Sequence, residues 1–290
     1  MTGAVGEQAI IERLRLAPKY RSVHVDTIVD IVQRESGKAS STADLERRAR
    51  LKLHRVVAGY LVTGRIAHLA RGLAHADGRA ADGSAADGSE ADRREFCRAM
   101  LGAHFSTAER LPDLPAFYPA VFGGLGTVRS VADLACALNP FSMPWLRDAT
   151  DAEYAAYDLN LTYVELASAF LGGRYPGCSV VHRDVLVRPD LITADVALVL
   201  KTYHNMEDRQ PGAGLRLVAE LRTPVVVVSF PLRTMTGRPA SFTWRLLPGL
   251  TSLAADRCWE LDRVELPTEL IMIVRKGSVT QKGRADGAPA

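Results

Sequence analysis

The sequence predicts an α/β fold in which a mostly parallel, seven-stranded sheet covered by helices on both faces follows a small helical domain. Three observations predict it. Between Gln8 and about Leu69 the apolar residues recur at helical intervals with no strand-like alternation. From Val131 onward β-branched runs alternate with helical stretches. The last two of those runs follow closely enough to pair as a hairpin. The chain has 290 residues, of which 47% are hydrophobic and 24% charged, so it can bury a sizeable core.

The helical domain is expected to bury Ile10, Ile11 and Leu14, then Ile28, Ile31 and Val32, then Leu51, Leu53, Val56 and Val57. The stretch GLAHADGRAADGSAADGSEAD (72–92) repeats Ala, Asp, Gly and Ser with almost nothing to bury, which predicts a flexible surface loop. A helix from about Asp92 to His104 and another around Pro115 to Phe122 follow. The expected strands are Val131 to Cys136, Glu153 to Asp158, Ser179 to His182, Asp195 to Leu200, Pro224 to Phe230, Arg257 to Val264 and Glu269 to Val274. Strands separated by helices bind ligands beyond their carboxyl ends. Seven strands with one antiparallel member at or near the edge suit a Rossmann-like class I S-adenosylmethionine methyltransferase sheet better than a dehydrogenase. The expected division is a helical domain over 1–105, a catalytic domain over 106–277 and a disordered tail over 278–290.

The net charge of +3 hides an asymmetry, since residues 1–75 hold 13 Lys/Arg against 7 Asp/Glu and the remainder 23 against 26. A basic helical segment suits a phosphate backbone, although solvated basic helices are common. Cys97, Cys136, Cys178 and Cys258 stand far apart with no C-x-x-C spacing, so reduced thiols are expected, with neither a disulfide framework nor a metal site. No apolar run approaches the roughly 18 residues of a membrane span, and a cytoplasmic protein with no membrane partner is expected.

The stretch VADLACALNPFSMPWL (131–146) has the outline of a strand, a turn and a helix but contains no glycine. A pyrophosphate site needs glycines so that backbone can press against phosphate. S-adenosylmethionine carries no phosphate, and its ribose diol needs an acceptor carboxylate instead. Asp133 lies in the first strand, Asp158 ends the second, and Asp184 follows the third in VVHRDVL, placed to accept from an adenine amino group. Each acid alone also fits a helix cap. Asn139 and Pro140 are expected to cap and start the next helix.

Several segments together resemble the 16S rRNA methyltransferases that protect antibiotic producers and some resistant pathogens from aminoglycosides by methylating a decoding-site guanine at N7. They are PKYRSVHVDT (18–27), LHRVVAGYL (53–61), AHFSTAERLPDLPAFY (103–118), DLACALNP (133–140), LVLKTYHNME (198–207), VVVSFP (226–231) and TELIMIVRK (268–276). The string H-x-S-T-x-E-R-L is the most specific. The resemblance implies that Tyr60, His104, Phe105, Ser106 and Arg110 reach S-adenosylmethionine, with Arg110 pairing the methionine carboxylate. It also implies that Asp133, Ala135, Ala137, Asp158, Leu159, Asp184, Val185 and Leu200 surround the cofactor, that Arg209 or Gln210 closes the site, and that Lys201 and Tyr203 position the reactants. It implies a 30S subunit or 16S rRNA partner and a monomer, with Lys19, Arg21, Arg47, Arg48, Arg50, Lys52, Arg55, Arg233 and Arg238 facing RNA. Lys19 and Arg21 match the family's segment, whereas the run 47–55 rests more on charge.

Departures from the family pattern cluster where the target base and rRNA would sit. ACGLNP becomes ACALNP, which places a methyl group where backbone would approach the cofactor, so the turn can still bind if Ala137 avoids a left-handed backbone. The motif after the second strand reads YDLN (157–160), K-x-L-P reads KTYHN (201–205), and the loop after SFP reads LRTMTGRPASFTW. Phe242, Trp244, Tyr203 and Trp145 are candidates to stack on a target base, each equally suited to the core. The departures leave adenine N1 elsewhere in 16S rRNA, the pactamycin-resistance type, as an alternative target. A small-molecule methyltransferase and a non-catalytic RNA-binding relative are further alternatives.

Overall fold

Each β-branched run becomes a strand of one sheet, because alternating side chains bury against helices on its two faces. The computed structural model describes residues 4–57, 89–234 and 236–277. The strands are β1 (Ser130–Leu134), β2 (Glu153–Asp158), β3 (Cys178–His182), β4 (Val196–Leu200), β5 (Val225–Pro231), β6 (Glu260–Glu265) and β7 (Glu269–Arg275). Their spatial order is β3-β2-β1-β4-β5-β7-β6, parallel except for β7, which runs antiparallel to both β5 and β6. On central strand β4, Val196, Leu198 and Leu200 face one hydrophobic core while Ala197 and Val199 face the other. The antiparallel strand therefore sits inside the edge, and β6 forms the edge itself. Glu260, Asp262, Arg263 and Glu265 are exposed along β6, where charge discourages pairing with another chain.

Among the described residues, three helices, α1 (Ala4–Leu16), α2 (Val25–Ser36) and α3 (Thr42–Val57), pack together as a unit at the N-terminal side. Ile10, Ile11, Leu14, Ile28, Ile31, Val32, Leu45, Ala49 and Leu53 form its core. Leu51 is 49% exposed, contrary to expectation, because Leu45, Ala49 and Leu53 set the buried stripe at four-residue steps and position 51 falls on the opposite side. The unit docks by backbone as well as side chains. His24 N donates to Leu159 O at 2.8 Å, and Leu161 N donates to Ser22 O at 2.7 Å.

Helix α4 (Glu90–Leu101) begins inside the span expected to be loop. Ser89 and Asp92 form a reciprocal capping box that satisfies its first amides, which fixes the start two residues earlier than hydrophobic spacing suggested. Residues 58–88, including Tyr60 and most of the expected loop, lie outside the described residues, as does the expected tail from 278 onward. The short α5 (Phe105–Arg110) and then α6 (Leu114–Phe122) lead into β1. Helices α7 (Met143–Arg147), α8 (Leu161–Leu171), α9 (Tyr203–Arg209), α10 (Ala213–Glu220) and α11 (Ser241–Asp256) follow among the described residues. β1 ends at Leu134, two residues early, since Ala135 turns the backbone left-handed at φ +54°. β6 starts at Glu260 and not at Arg257, because Cys258 makes a similar turn at φ +54°.

Beneath the sheet's carboxyl end lies a buried ion pair. Arg110 donates through Nε to Glu269 Oε1 at 2.5 Å and through Nη2 to Oε2 at 3.0 Å, and its Nη1 reaches Asn139 Oδ1 at 3.0 Å. Asn139 in turn donates to Asp133 at 2.7 Å, as Tyr154 does at 2.5 Å. Burial alone would raise the Glu269 carboxyl, but the Arg110 and Lys201 cations hold it below its ordinary range. A depressed acid stabilises the fold above its unfolded value, so this contribution is lost as pH falls below about 4.5 through the folded value. Glu269→Ala strands the Arg110 charge, and we expect a loss of about 3–5 kcal/mol in chemical denaturation.

Candidate active site

A cleft of about 490 Å³ opens beyond the carboxyl ends of β1, β2 and β4, where the strand order reverses direction. That volume falls within the range of small-molecule sites, roughly 300–1,000 Å³. Ala135 and Ala137 from the turn after β1, Asp158 and Leu159 from the end of β2, and Leu200 from β4 line it. Asp184, Val185 and Leu186 line it beyond β3, His104 and Ser106 from the start of α5, and Lys52, Arg55 and Val56 from α3. A nucleoside needs apolar walls for its base and an acceptor for its sugar, and this set supplies both.

Asp158 is 6% exposed, accepting from Ala137 N at 2.9 Å and Asn160 N at 2.8 Å. Burial pushes its carboxyl up to about 6, against the pull of those two amides. Asp184 also lines the cleft, and protein donors engage it. Thr27 Oγ1 and Arg209 Nη1 each lie 2.6 Å from its Oδ2, and Leu186 N lies 3.0 Å from its Oδ1. Arg209 Nη2 also reaches Asp30 on α2 at 2.7 Å, so it bridges the helical unit to the cleft wall. His104 lines the cleft with its ring edge-on to Tyr163 and its Nδ1 3.0 Å from Ser106 Oγ. Burial lowers His104 to about 4, so it is neutral near pH 7.

Several expected contacts are corrected. Arg110 is 2% exposed and does not line the cleft, because Glu269 and Asn139 hold its guanidinium inside the protein. Asp133 is fully buried and likewise absent from the wall, since its side chain points to Tyr154 and Asn139. Asn139 therefore caps nothing; its side chain joins Arg110 to Asp133, and a 3-10 turn (Asn139–Ser142) precedes α7. Phe105 lines a neighbouring pocket and not this one. Tyr203 is 1% exposed, packed on Phe230 and filling the place where a Cβ on Gly214 would meet its ring at 2.7 Å, so it positions no reactant directly. Trp145 is buried under Arg94 and Arg98, and Trp244 is exposed beneath Arg263 on the outer side of α11. Of the four aromatic candidates, Phe242 borders the pocket next to the cleft, and none of Trp145, Tyr203 and Trp244 lines that pocket or the cleft.

The basic residues separate in the same way. Arg47 pairs with Asp44 at 2.7 Å, Arg48 with the buried Glu35 at 3.0 Å, and Arg50 with Glu46 at 2.8 Å. Lys52 and Arg55 line the cleft, Lys52 half-buried and Arg55 exposed. Lys19 and Arg21 are exposed on the segment between α1 and α2, with Lys19 Nζ 2.6 Å from His54 Nδ1. Arg233 and Arg238 are exposed on the loop after β5. Asn160, Tyr163, Arg183, Asn205 and Met206 line the cleft without having been anticipated. Asn160 and Asn205 each closed a segment that departs from the family pattern, YDLN and KTYHN, and the Asn160 side chain caps α8 by accepting from Thr162 N at 3.0 Å. Among the described residues no three His, Cys, Asp or Glu side chains cluster as a metal site, and no helix is long and apolar enough to cross a membrane.

This strand order, the antiparallel β7 and a nucleoside-sized cleft at the sheet's switch point define a Rossmann-like methyltransferase. The family model described as Ribosomal RNA methyltransferase (FmrO) matches residues 16–273, and the chain belongs to that family. It is 40% identical over 180 residues to a 16S rRNA (guanine(1405)-N(7))-methyltransferase of Frankia casuarinae, a match covering 60% of this chain and 61% of that relative. It is 27% identical over 294 residues to a protein of the same name from Micromonospora rosea, covering 95% and 100% of the two chains. Among solved structures it is similar to the 16S rRNA methyltransferase RmtF in complex with S-adenosyl-L-homocysteine, with TM-score 0.71, 26% identity, and 93% and 98% of the chains covered.

The turn after β1 does not meet the condition set for it in the sequence. Ala137 adopts φ +46°, in the left-handed region, and Ala135 and Lys201 do the same at +54° and +53°. Asp158 holds this turn by accepting from the Ala137 amide. Left-handed backbone costs a non-glycine residue about 1–2 kcal/mol, partly offset by glycine's greater freedom when unfolded. We therefore expect Ala137→Gly to raise stability by about 0.5–1 kcal/mol, read as an increased denaturation midpoint at unchanged slope.

Proposed function

We propose that this chain is an S-adenosylmethionine-dependent 16S rRNA methyltransferase that acts on the 30S subunit in the cytoplasm, transfers a methyl group to guanine 1405 N7 and thereby confers aminoglycoside resistance. The observation that carries the reading is the cleft at the strand switch point, where Asp158 faces an apolar slot walled by Ala135, Leu159, Val185 and Leu200. A carboxylate there suits a ribose diol, and the turn's lack of glycine suits a ligand without phosphate. The family match over residues 16–273 and the names of the relatives direct the reading to rRNA and to guanine N7.

S-adenosylmethionine supplies a methyl group on a sulfonium; the N7 lone pair forms the new C–N bond while the C–S pair leaves with sulfur. Guanine N7 is unprotonated at neutral pH, so the chain needs no general base and works by alignment. Asp158 accepts from the sugar hydroxyls, the apolar slot clasps the adenine, and Ser106 and Lys201 border the end of the cleft that continues into the second pocket. Lys19 and Arg21 carry the RNA-docking role in preference to Arg47, Arg48 and Arg50, which pair with acids of their own unit.

Mapping of 7-methylguanine by borohydride and aniline scission of 16S rRNA, after incubation of 30S subunits with enzyme and cofactor, tests the assignment. A single scission at 1405 is expected, and its absence rejects the proposal. Because the raised Asp158 binds a proton more tightly than in the unfolded chain, its ionised form is present only above about pH 6. Cofactor affinity measured by calorimetry is therefore expected to weaken as pH falls below about 6, and Asp158→Asn to weaken it at every pH while flattening that dependence. Reversing Lys19 and Arg21 to Glu is expected to leave cofactor affinity unchanged while lowering 30S methylation at least about 10-fold, with a shallower salt dependence.

A further inference from the structure

A second pocket of about 270 Å³ adjoins the cleft and shares Ser106 and Lys201 with it. Phe105, Glu109, His204 and Phe242 contribute to the rest of its wall, the last two with rings 4.6 Å apart. A base seated here meets the cleft across the Ser106–Lys201 boundary. At that boundary Lys201 Nζ lies 3.3 Å from Glu109 Oε2, so a donor and an acceptor stand side by side. The Lys201 side chain is 1% exposed and that of Glu109 is 20% exposed. The backbone of Lys201 is strained at φ +53°, and its amide is held by Ser229. Strain retained at such a position is a common mark of a functional site.

We propose that the Glu109–Lys201 pair identifies the target base as guanine, with Lys201 Nζ donating to O6 and the Glu109 carboxylate accepting from N1–H, while N7 faces the cleft. This rests on the rRNA guanine-N7 reading above. Along one edge guanine presents N7, then the O6 acceptor, then the N1–H donor, which matches the cleft, Lys201 and Glu109 in that order. Adenine presents an amino donor where Lys201 donates and an N1 acceptor where the carboxylate accepts, so both contacts become repulsive. A site built to pair buried polar groups rejects the analogue that leaves them unpaired far more strongly than an apolar pocket does. Methylation at N7 leaves the purine with one positive charge, and the Glu109 carboxylate beside N1–H also offsets that charge as it forms.

The test uses the full chain and 30S subunits reconstituted with guanine, inosine, 1-methylguanine or adenine at the modified position. Inosine keeps O6 and N1–H, whereas 1-methylguanine keeps O6 but lacks the proton. Wild-type protein is expected to methylate inosine within about 3-fold of guanine and the other two at least about 100-fold more slowly. Glu109→Gln is expected to lower kcat/KM on guanine roughly 10- to 100-fold and to shrink the guanine-to-adenine ratio, with cofactor Kd within about 2-fold of wild type. Methylation of 1-methylguanine at the guanine rate overturns the proposal with the wild-type protein alone. An unchanged guanine-to-adenine ratio in folded Glu109→Gln overturns it as well. Failure of the wild type to methylate guanine N7 on any 30S subunit rejects the underlying rRNA reading instead.

Discussion

The buried pairing of Arg110 with Glu269 is the constraint on which the geometry of both pockets depends. The two residues are 159 positions apart, and their contact joins α5 to the start of β7. Helix α5 has only six residues, too short to persist on propensity, so tertiary attachment must hold it. Arg110 supplies that attachment from the last residue of the helix. Anchored there, the helix turns Glu109 toward Lys201 and leaves His104 and Ser106 at its open end against the cleft. The antiparallel insertion of β7 between β5 and β6 makes this possible, since it brings Glu269 opposite Pro231, two residues from Ser229.

The same pairing explains what the sequence could and could not reveal. The order of strands and helices was legible because β-branched runs and helical spacing report burial directly, and six of the seven strands start within one residue of their expected position. Asp158, His104, Ser106 and Leu200 were legible because a motif or a strand end placed them. Arg110 and Asp133 were not, because a charged residue next to a binding motif looks the same in sequence whether its side chain turns toward a ligand or toward a buried partner. Glu269 decides the direction for Arg110, and Tyr154 and Asn139 decide it for Asp133. Glu269 and Tyr154 lie 159 and 21 residues away, and although Asn139 is only six residues from Asp133, nothing in the segment showed that its side chain would turn back to it. Within the basic run 47–55, the Arg47–Asp44 and Arg50–Glu46 pairs stand three and four residues apart on α3 and were open to a local reading, whereas Arg48 pairs with Glu35 on α2, which only folding brings alongside.

The junction between the helical unit and the sheet shows why a chain with this cleft has helices in front of it. Val23 pairs with Asn160 as an isolated antiparallel bridge, and His24 stacks edge-on against His182 with rings 4.7 Å apart. Thr27 and Arg209 meet on Asp184, and Arg209 continues to Asp30, so one buried carboxylate of the cleft wall is shared by two units of the chain. Charged and hydrogen-bonded groups buried together must be satisfied together, since removing one partner leaves the others unpaired. The loops after β2 and β3, which carry Asp158 and Asp184, are therefore fixed by contacts with α2 and the segment before it as well as by the sheet.

That arrangement makes the cleft a joint product of both halves. Lys52, Arg55 and Val56 close it from α3, facing Asp158, Leu159 and Asp184 on the sheet side. Charge on this wall is mixed, with Asp158, Asp184 and Asp208 among Lys52, Arg55, Arg183, Lys201 and Arg209. Arg209 is committed to Asp184, at 2.6 Å, and Lys201 to Glu109, at 3.3 Å, so part of that positive charge is already paired. The glycine-free turn after β1 suits a ligand without phosphate, because no phosphate has to approach the backbone there. Sequence pattern and backbone geometry thus converge on the same ligand class, although the residue that appeared best suited to hold its carboxylate is occupied elsewhere in the fold.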